Sequence, residues 1–122
     1  MRHSRKTLSA STIMDFNVEN SAGESLGTIE DVMVDLDEGC VAYAVLSFGG
    51  FLGFGDKLFA IPWSKLTPSP DKDETFILDV PKEKLQEMQG FDKNNWPDFS
   101  DPQWRRQTYD YYGAKHYWEE KV

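Results

Sequence analysis

The sequence predicts a small, mainly β protein of one domain: a six-stranded barrel with a short helix and an aromatic-rich C-terminal tail. First, 122 residues suffice for one hydrophobic core but not for two ordinary domains. Second, hydrophobic residues make up 39% of the chain and aromatic residues 14%, enough apolar area for a packed core. Third, short β-forming runs separated by turn signals favour a small barrel over a βαβ sheet.

The first predicted strands lie between residues 13 and 48. Residues 13–20 are rich in β-formers and end in a turn. In residues 26–36, the side chains of Val32, Val34 and Leu36 alternate while Ile29 is out of phase, which predicts a bulge near Glu30 and Asp31. Residues 41–48 are apolar on both faces, as expected of a central strand that forms a hairpin with the strand before it.

The remaining barrel elements follow a glycine-rich loop. In the strand predicted at 57–63, Phe59, Ile61 and Trp63 share one face. A polar turn at 67–73 precedes a last alternating strand formed around Phe76, Leu78 and Val80. Pro81 then opens a short helix through Met88, and Leu85 and Met88 are spaced to dock it on the barrel.

This pattern divides the chain into three segments. Residues 1–11 are predicted to be a flexible N-terminus, and residues 12–90 a barrel domain with its closing helix. Residues 91–122 form an aromatic extension that we expect to pack on the barrel or on a partner subunit. Its aromatic side chains are Phe91, Trp96, Phe99, Trp104, Tyr109, Tyr111, Tyr112, Tyr117 and Trp118.

Charge and motif content argue against several classes of function. A net charge of −8 opposes direct binding to nucleic acid, which requires Lys and Arg to displace counterions. The glycine string at 50, 53 and 55 is not followed by a helix start, so a phosphate site is not indicated. We find no pattern that predicts catalytic residues or a cofactor.

Metal sites are also not predicted. His3 and His116 lie at opposite ends of the chain. Residues 35–39 and 71–74 resemble fragments of a calcium loop but lack its bidentate Glu, so we expect solvated turns.

The single cysteine, Cys40, permits no intrachain disulfide, which favours a reducing cytoplasm and a half-buried structural thiol. No stretch has the roughly 20 apolar residues of a membrane span, and no secretory signal is visible, so no membrane insertion is expected.

Aromatic and apolar residues outside the predicted strands are the candidates for an interface. Phe51, Leu52 and Phe54 lie in the glycine-rich loop, where they either cap the core or contact another chain. Four aromatic residues of the extension complete the candidate interface: Trp96, Trp104, Tyr111 and Tyr112.

Several sequence blocks together resemble a PRC-barrel domain. These blocks are residues 26–35 (LGTIEDVMVD), 41–47 (VAYAVLS), the glycine-rich loop and 59–63 (FAIPW), and the likeness covers about residues 12–80. The family includes a domain shared by the H subunit of photosynthetic reaction centres and a ribosome maturation factor, and this chain resembles its small stand-alone members. The resemblance implies a docking or assembly role and supplies no catalytic residues.

These observations together predict a non-catalytic protein-interaction or assembly module, most simply a cytoplasmic homodimer that docks a protein partner. One alternative is an accessory factor of membrane electron transport or of photosynthetic complex assembly, as the reaction-centre likeness implies. Another alternative is a small-ligand binder in the barrel mouth, although so small a barrel is expected to be filled by side chains.

Overall fold

The computed structural model describes residues 7–49 and 57–119. Within these residues the strands are β1 (Asn17–Glu19), β2 (Ser25–Asp35), β3 (Cys40–Phe48), β4 (Lys57–Pro62), β5 (Leu66–Pro68) and β6 (Thr75–Leu78). The helices are α1 (Ala10–Ile13), α2 (Lys82–Glu87) and α3 (Pro102–Tyr112), and short 3-10 turns span Trp63–Lys65 and Tyr117–Glu119. The predicted mainly β fold with six strands, a short helix and an aromatic C-terminal region is confirmed.

The six strands form one curled sheet in the order β4-β3-β2-β1-β6-β5. β1 and β6 are parallel, and the other neighbouring strands are antiparallel. β4 and β5 lie at opposite edges of the sheet, yet only Trp63–Lys65 separates them in the chain. Because three residues span roughly 10 Å at most, the sheet must curl until its two edges approach each other.

The concave face of this sheet holds the main hydrophobic cluster, which we call the inner core. Its buried members are Val18, Leu26, Ile29, Ala44, Leu46, Phe48, Phe59, Ile61, Leu66, Phe76, Leu78 and Leu85. The predicted faces of β4, of β6 and of α2 are confirmed, because their alternating or helically spaced residues all enter this cluster or pack against it. Strand periodicity therefore located Phe59, Ile61, Phe76 and Leu78 of the inner core.

The predicted bulge in β2 is confirmed. Ile29 pairs with Leu46 and Asp31 pairs with Val45, so Glu30 is the extra residue. The insertion lets Ile29 and Val32 both pack on the inner core although they are three residues apart. Beyond the bulge the alternating residues are not buried, since Val34 is 56% exposed and Leu36, which follows β2, is 88% exposed.

Gly27 is required where β2 crosses closest to β3. A Cβ atom at this position would lie 1.9 Å from the Ser47 carbonyl oxygen, and the φ angle of Gly27 is +143°. Both the distance and the angle exclude residues with a side chain. The glycine therefore allows the tight curl of the sheet.

Lys57 connects the start of β4 to the end of α2. Its Nζ donates to the carbonyl oxygens of Gln86 and Met88 at 2.7 and 2.8 Å, and to that of Leu85 at 3.4 Å. The last carbonyls of a helix have no partner within the helix, and a cation at this end also interacts favourably with its dipole. Lys57 thus helps to hold α2, and with it Leu85, against the inner core.

Three predictions about local structure were wrong. Ile13 belongs to α1, which starts at the N-cap Ser9, so the first strand comprises only Asn17–Glu19. Thr67 and Pro68 were predicted to begin a turn but belong to β5, which pairs with β6. α3 was not predicted, because its aromatic residues lack a simple apolar stripe.

Cys40, expected to be half-buried, is exposed at the beginning of β3. None of the helices in the described ranges is long and apolar enough to cross a membrane.

Candidate docking surface

The chain after α2 covers the convex face of the sheet, beginning with a backbone bridge to its edge. The Leu58 amide donates to the Phe91 carbonyl at 2.8 Å, and the Phe91 amide donates to the Leu58 carbonyl at 2.9 Å. This pair satisfies backbone groups at the outer edge of β4, where an uncovered strand could pair with another chain. The C-terminal segment therefore protects a sheet edge as well as a face.

α3 is positioned by caps at both ends. The Asp101 side chain accepts from the Gln103 amide at 3.0 Å, Pro102 occupies the first turn, and Gly113 ends the helix in the left-handed conformation. The helix is anchored by Tyr109, whose hydroxyl donates to the Ala42 carbonyl at 2.5 Å. Tyr109 is 2% exposed, so this hydrogen bond joins α3 to β3 inside the protein.

A second cluster, which we call the outer aromatic cluster, fills the space between β3, β4 and the C-terminal segment. Tyr43 lies at its centre, with ring centroids 5.4 Å from those of Phe99, Trp104 and Tyr109. Its other members are Ala42, Ala60, Ala114, Met33, Phe91, Tyr117 and Trp118. Together with the inner core, which contains Ala44, Leu46 and Phe48, this cluster covers both faces of β3, and Ala42 through Phe48 are all buried as predicted.

Three of the predicted interface residues line one open groove. Trp104, Tyr111 and Tyr112 lie along it on α3, opposite Met88, Phe91 and β4. The groove has a volume of about 360 Å³. Tyr111 is 50% exposed, and its hydroxyl donates to the Met88 sulfur at 3.2 Å.

The groove is apolar with a neutral aromatic rim. The Tyr111 and Tyr112 rings meet edge to face with centroids 5.1 Å apart. Burial raises the pKa of Tyr112 well above its ordinary value of 10.0, so its hydroxyl stays protonated at physiological pH. A surface of this kind suits apolar or aromatic side chains better than ions.

The other predicted interface residues are not in the groove. Trp96 is 37% exposed, and its ring packs on Phe91 and Phe99 with centroid distances of 5.4 and 6.1 Å. Because Phe91 also lines the groove, Trp96 lies beside it. Phe51, Leu52 and Phe54 lie outside the described residues.

A polar cluster that sequence reasoning missed lies at the end of the β2–β3 hairpin. Asp35 Oδ2 accepts from the Tyr117 hydroxyl at 2.5 Å, and Oδ1 accepts from the Asp37 and Glu38 amides at 3.0 and 3.1 Å. The hydrogen bond from Tyr117 is the main cause that lowers the pKa of Asp35 below its usual value. Residues 82 positions apart meet here, so no local pattern could reveal the pair.

Arg105 completes this polar cluster. Its NH1 lies 3.8 Å from Asp35 Oδ2, and its guanidinium carbon lies 4.6 Å from the centroid of the Trp118 ring. Although residues 35–39 resemble a calcium-loop fragment, Asp35 here binds a hydroxyl and two backbone amides. In residues 7–49 and 57–119, no three His, Cys, Asp or Glu side chains form a group suited to a metal ion.

A separate cleft lies at one end of the curled sheet. It has a volume of about 690 Å³, and its apolar lining includes Ile13, Phe16, Trp63 and Phe76, which belong to the inner core or pack against it. The rings of Phe16 and Trp63 both lie 5.7 Å from that of Phe76. The rim is polar and includes residues of the β5–β6 turn.

Comparison with protein-family models identifies the region that contains the sheet. The model of the PRC-barrel domain matches residues 6–85, which comprise the curled sheet and most of α2. No match was found among curated proteins. The groove is formed partly by α3, which follows the matched residues.

Proposed function

The chain belongs to the PRC-barrel family, and we propose that it is a non-catalytic protein-interaction module. In this proposal a partner docks in the groove formed by Trp104, Tyr111 and Tyr112. The observation that carries the proposal is the groove itself, in which a half-exposed tyrosine borders an apolar floor on a capped helix. Aromatic residues and Met are enriched in protein interfaces, which makes a protein a better occupant than an ion.

The shape and size of the groove support the insertion of a few side chains. At about 360 Å³ it lies near the lower end of the size range of ligand pockets, and it is lined on one side by a helix whose ends are fixed. A rigid helix lowers the entropic cost of binding, because little of the surface must become ordered. We therefore propose that apolar or aromatic side chains of a partner insert between α3 and β4.

The charge of the chain affects the choice of partner. With a net charge of −8, a second copy is repelled at long range, whereas a basic protein is attracted. The homodimer predicted above remains part of the proposal, with apolar contact at the groove outweighing this repulsion. Raising the salt concentration should then strengthen self-association and weaken binding to a basic partner.

Site-specific photocrosslinking tests the docking surface directly. A photoreactive phenylalanine analogue replaces Tyr111 in the groove, and the matched control carries it at Ala22, an exposed residue of the β1–β2 turn. The tagged full chain is irradiated in cells and the products are separated by mass. We expect one discrete crosslinked product from position 111 and none from position 22.

The mass of the product identifies the occupant. A product of twice the chain mass supports the homodimer, and a product with one defined second protein supports a heterologous partner. Equal or absent crosslinking at both positions contradicts docking at the groove. The variant Phe51→Ser with Phe54→Ser tests the other predicted interface, because loss of dimerisation there would move the contact to the glycine-rich loop.

A small-ligand role is favoured by the cleft at the end of the sheet. Its aromatic floor and polar rim match the usual composition of sites for small apolar ligands. We propose this as the second candidate function. The contacts that support it are few: Ile13, Phe16, Trp63 and Phe76 line one opening.

Blocking the cleft tests this second candidate. Thr12 lines the cleft and its neighbour Ser11 does not, so Thr12→Phe should occlude it while Ser11→Phe should leave it open. The probe is the fluorescent dye 1-anilinonaphthalene-8-sulfonate. Binding by the native chain that is lost only in Thr12→Phe supports the candidate, and equal fluorescence in both variants contradicts it.

Two further proposals come from the sequence alone. The accessory role in membrane electron transport or photosynthetic assembly rests on family resemblance. Fractionation of cells tests it, since recovery with a membrane complex would support it and recovery in the cytoplasmic fraction alone would contradict it. The same experiment tests the proposed cytoplasmic location.

A further inference from the structure

A third cleft lies between the end of the β2–β3 hairpin and the start of α3. It has a volume of about 460 Å³. Its apolar wall includes Met33, Leu36 and Phe99, and its polar lining includes Asp35, Tyr43 and Arg105. It is independent of the groove proposed for docking, which Tyr111 and Tyr112 line instead.

Two buried hydrogen-bond donors in this cleft have no acceptor. The Tyr43 hydroxyl and the Arg105 Nε are buried and make no hydrogen bond. Tyr43 is only 1% exposed, so bulk water does not satisfy its hydroxyl. Folded proteins pair nearly all such groups, because a buried donor without an acceptor is destabilising.

Asp35 lies near the Arg105 guanidinium but does not accept a hydrogen bond from it. The two groups are 3.8 Å apart, and both oxygens of Asp35 already accept hydrogen bonds from Tyr117 and from backbone amides. The guanidinium packs against the face of Trp118, which fixes its plane without supplying an acceptor. Arg105 can therefore donate to a further acceptor oxygen.

We propose that this cleft binds a small organic monocarboxylate with an apolar body. One or both of its carboxylate oxygens accept from the Tyr43 hydroxyl and Arg105 Nε, and its body packs against Met33, Leu36 and Phe99. Guanidinium groups match carboxylates in charge and geometry. Asp35 and Asp37 also line the cleft and disfavour a second negative charge, so dicarboxylates and inorganic phosphate bind more weakly.

The entrance includes a side chain that can move. Leu36 is 88% exposed, so turning it aside loses almost no packing. Leu36 can therefore adjust to a ligand in the cleft. The ligand then covers Leu36, which contributes apolar contact on binding.

The test is a titration of the isotopically labelled full chain with sodium benzoate, followed by NMR. We expect saturable shifts of the Arg105 Nε–H resonance and of backbone amides at residues 33–37 and 99–105. Sodium chloride at equal ionic strength and benzyl alcohol at equal concentration are the controls. Neither should produce these shifts, because the first lacks an apolar body and the second lacks a carboxylate.

Tyr43→Phe separates a binding role from a structural one. The variant keeps the aromatic ring and removes only a hydroxyl without a partner, so thermal stability should be unchanged or higher. Its affinity for benzoate should fall about fivefold, as expected for one lost hydrogen bond. Arg105→Lys keeps the charge but removes Nε, and its affinity should fall by at least as much.

Four outcomes would overturn the proposal. The first is the absence of saturable shifts at these residues, and the second is equal binding of benzyl alcohol. The third is an unchanged affinity in Tyr43→Phe and Arg105→Lys. A crystal structure in which a water joins both donors and benzoate does not displace it would also assign the two groups to solvent.

Discussion

The inner core and the outer aromatic cluster are built by different kinds of contact. The inner core gathers alternating aliphatic and aromatic residues from strands that are mostly neighbours in sequence. The outer aromatic cluster joins β3 and β4 to a segment that begins at Phe91. Within it, the Tyr109 hydroxyl donates a hydrogen bond to the Ala42 carbonyl, 67 positions earlier in the chain. The comparison shows that one sheet can have one face specified by local periodicity and the other by long-range aromatic packing.

The largest effect is expected from breaking the curl that encloses the inner core. Gly27→Ala places a Cβ against the Ser47 carbonyl, so the backbone must move, and we expect a loss of more than about 3 kcal/mol in the free energy of unfolding. Gly23→Ala is the matched control, since Gly23 also has a positive φ but open space around it, and should cost about 1 kcal/mol. Urea denaturation measures both, and equal losses would contradict the steric explanation.

The next largest effect should come from the link between α3 and the sheet. Tyr109→Phe leaves the buried Ala42 carbonyl without its hydroxyl donor, and we expect a loss of about 1–2 kcal/mol. Tyr43→Phe is the control within the same cluster, because its hydroxyl has no partner and its removal should cost nothing. If thermal denaturation gave the same loss for both variants, the hydrogen bond to Ala42 would not be the cause.

The third prediction concerns pH and the Asp35–Tyr117 contact. The pKa of Asp35 is lowered in the folded chain, so its contribution to stability is present above the unfolded value near 3.8 and is lost as pH falls through the folded value. Tyr117→Phe removes the main cause of this shift and should cost about 1 kcal/mol at neutral pH. Urea unfolding should show a larger difference between the variant and the native chain at pH 7 than at a pH below the folded pKa of Asp35. The control is Tyr111→Phe, because the Tyr111 hydroxyl donates to the Met88 sulfur and not to a carboxylate. This variant should show no such pH dependence.

The smallest effect is expected at the junction of α2 with β4. Lys57→Met removes the cation that caps the last carbonyls of α2, and we expect a loss of about 1 kcal/mol or less in the free energy of unfolding. Lys65→Met, at an exposed position in the 3-10 turn, is the control. Hydrogen exchange should show faster opening of α2 in the first variant alone.

The sequence predicted part of the inner core, because burial on one face of a strand appears directly as alternation. Phe59 and Ile61, and Phe76 and Leu78, were assigned to the buried face for this reason, and Leu85 was placed by helical spacing. The bulge at Glu30 was also predictable, since Ile29 interrupts the alternation. α1 and β5 were missed because four- and three-residue elements depend on caps and pairing more than on composition.

The candidate sites were predicted less completely. Trp104, Tyr111 and Tyr112 were selected as aromatic residues in a polar segment, but their common groove depends on α3, which was not predicted. The pairing of Arg105 and Tyr43 in one cleft had no sequence signal, because each residue alone is ordinary. Such sites exist only where distant segments converge.

Composition, strand alternation and the family blocks thus determined by themselves a mainly β fold, its family and part of its inner core. The tertiary structure alone decided how the C-terminal segment packs on the convex face, and therefore which aromatic residues remain exposed. The physical reason is the distance along the sequence over which each kind of contact acts. Side chains of a strand return to the same face every two residues, whereas aromatic packing between distant segments has no period along the chain. Tyr109 and Tyr111 differ by two positions on one helix, yet one is buried and the other is half exposed.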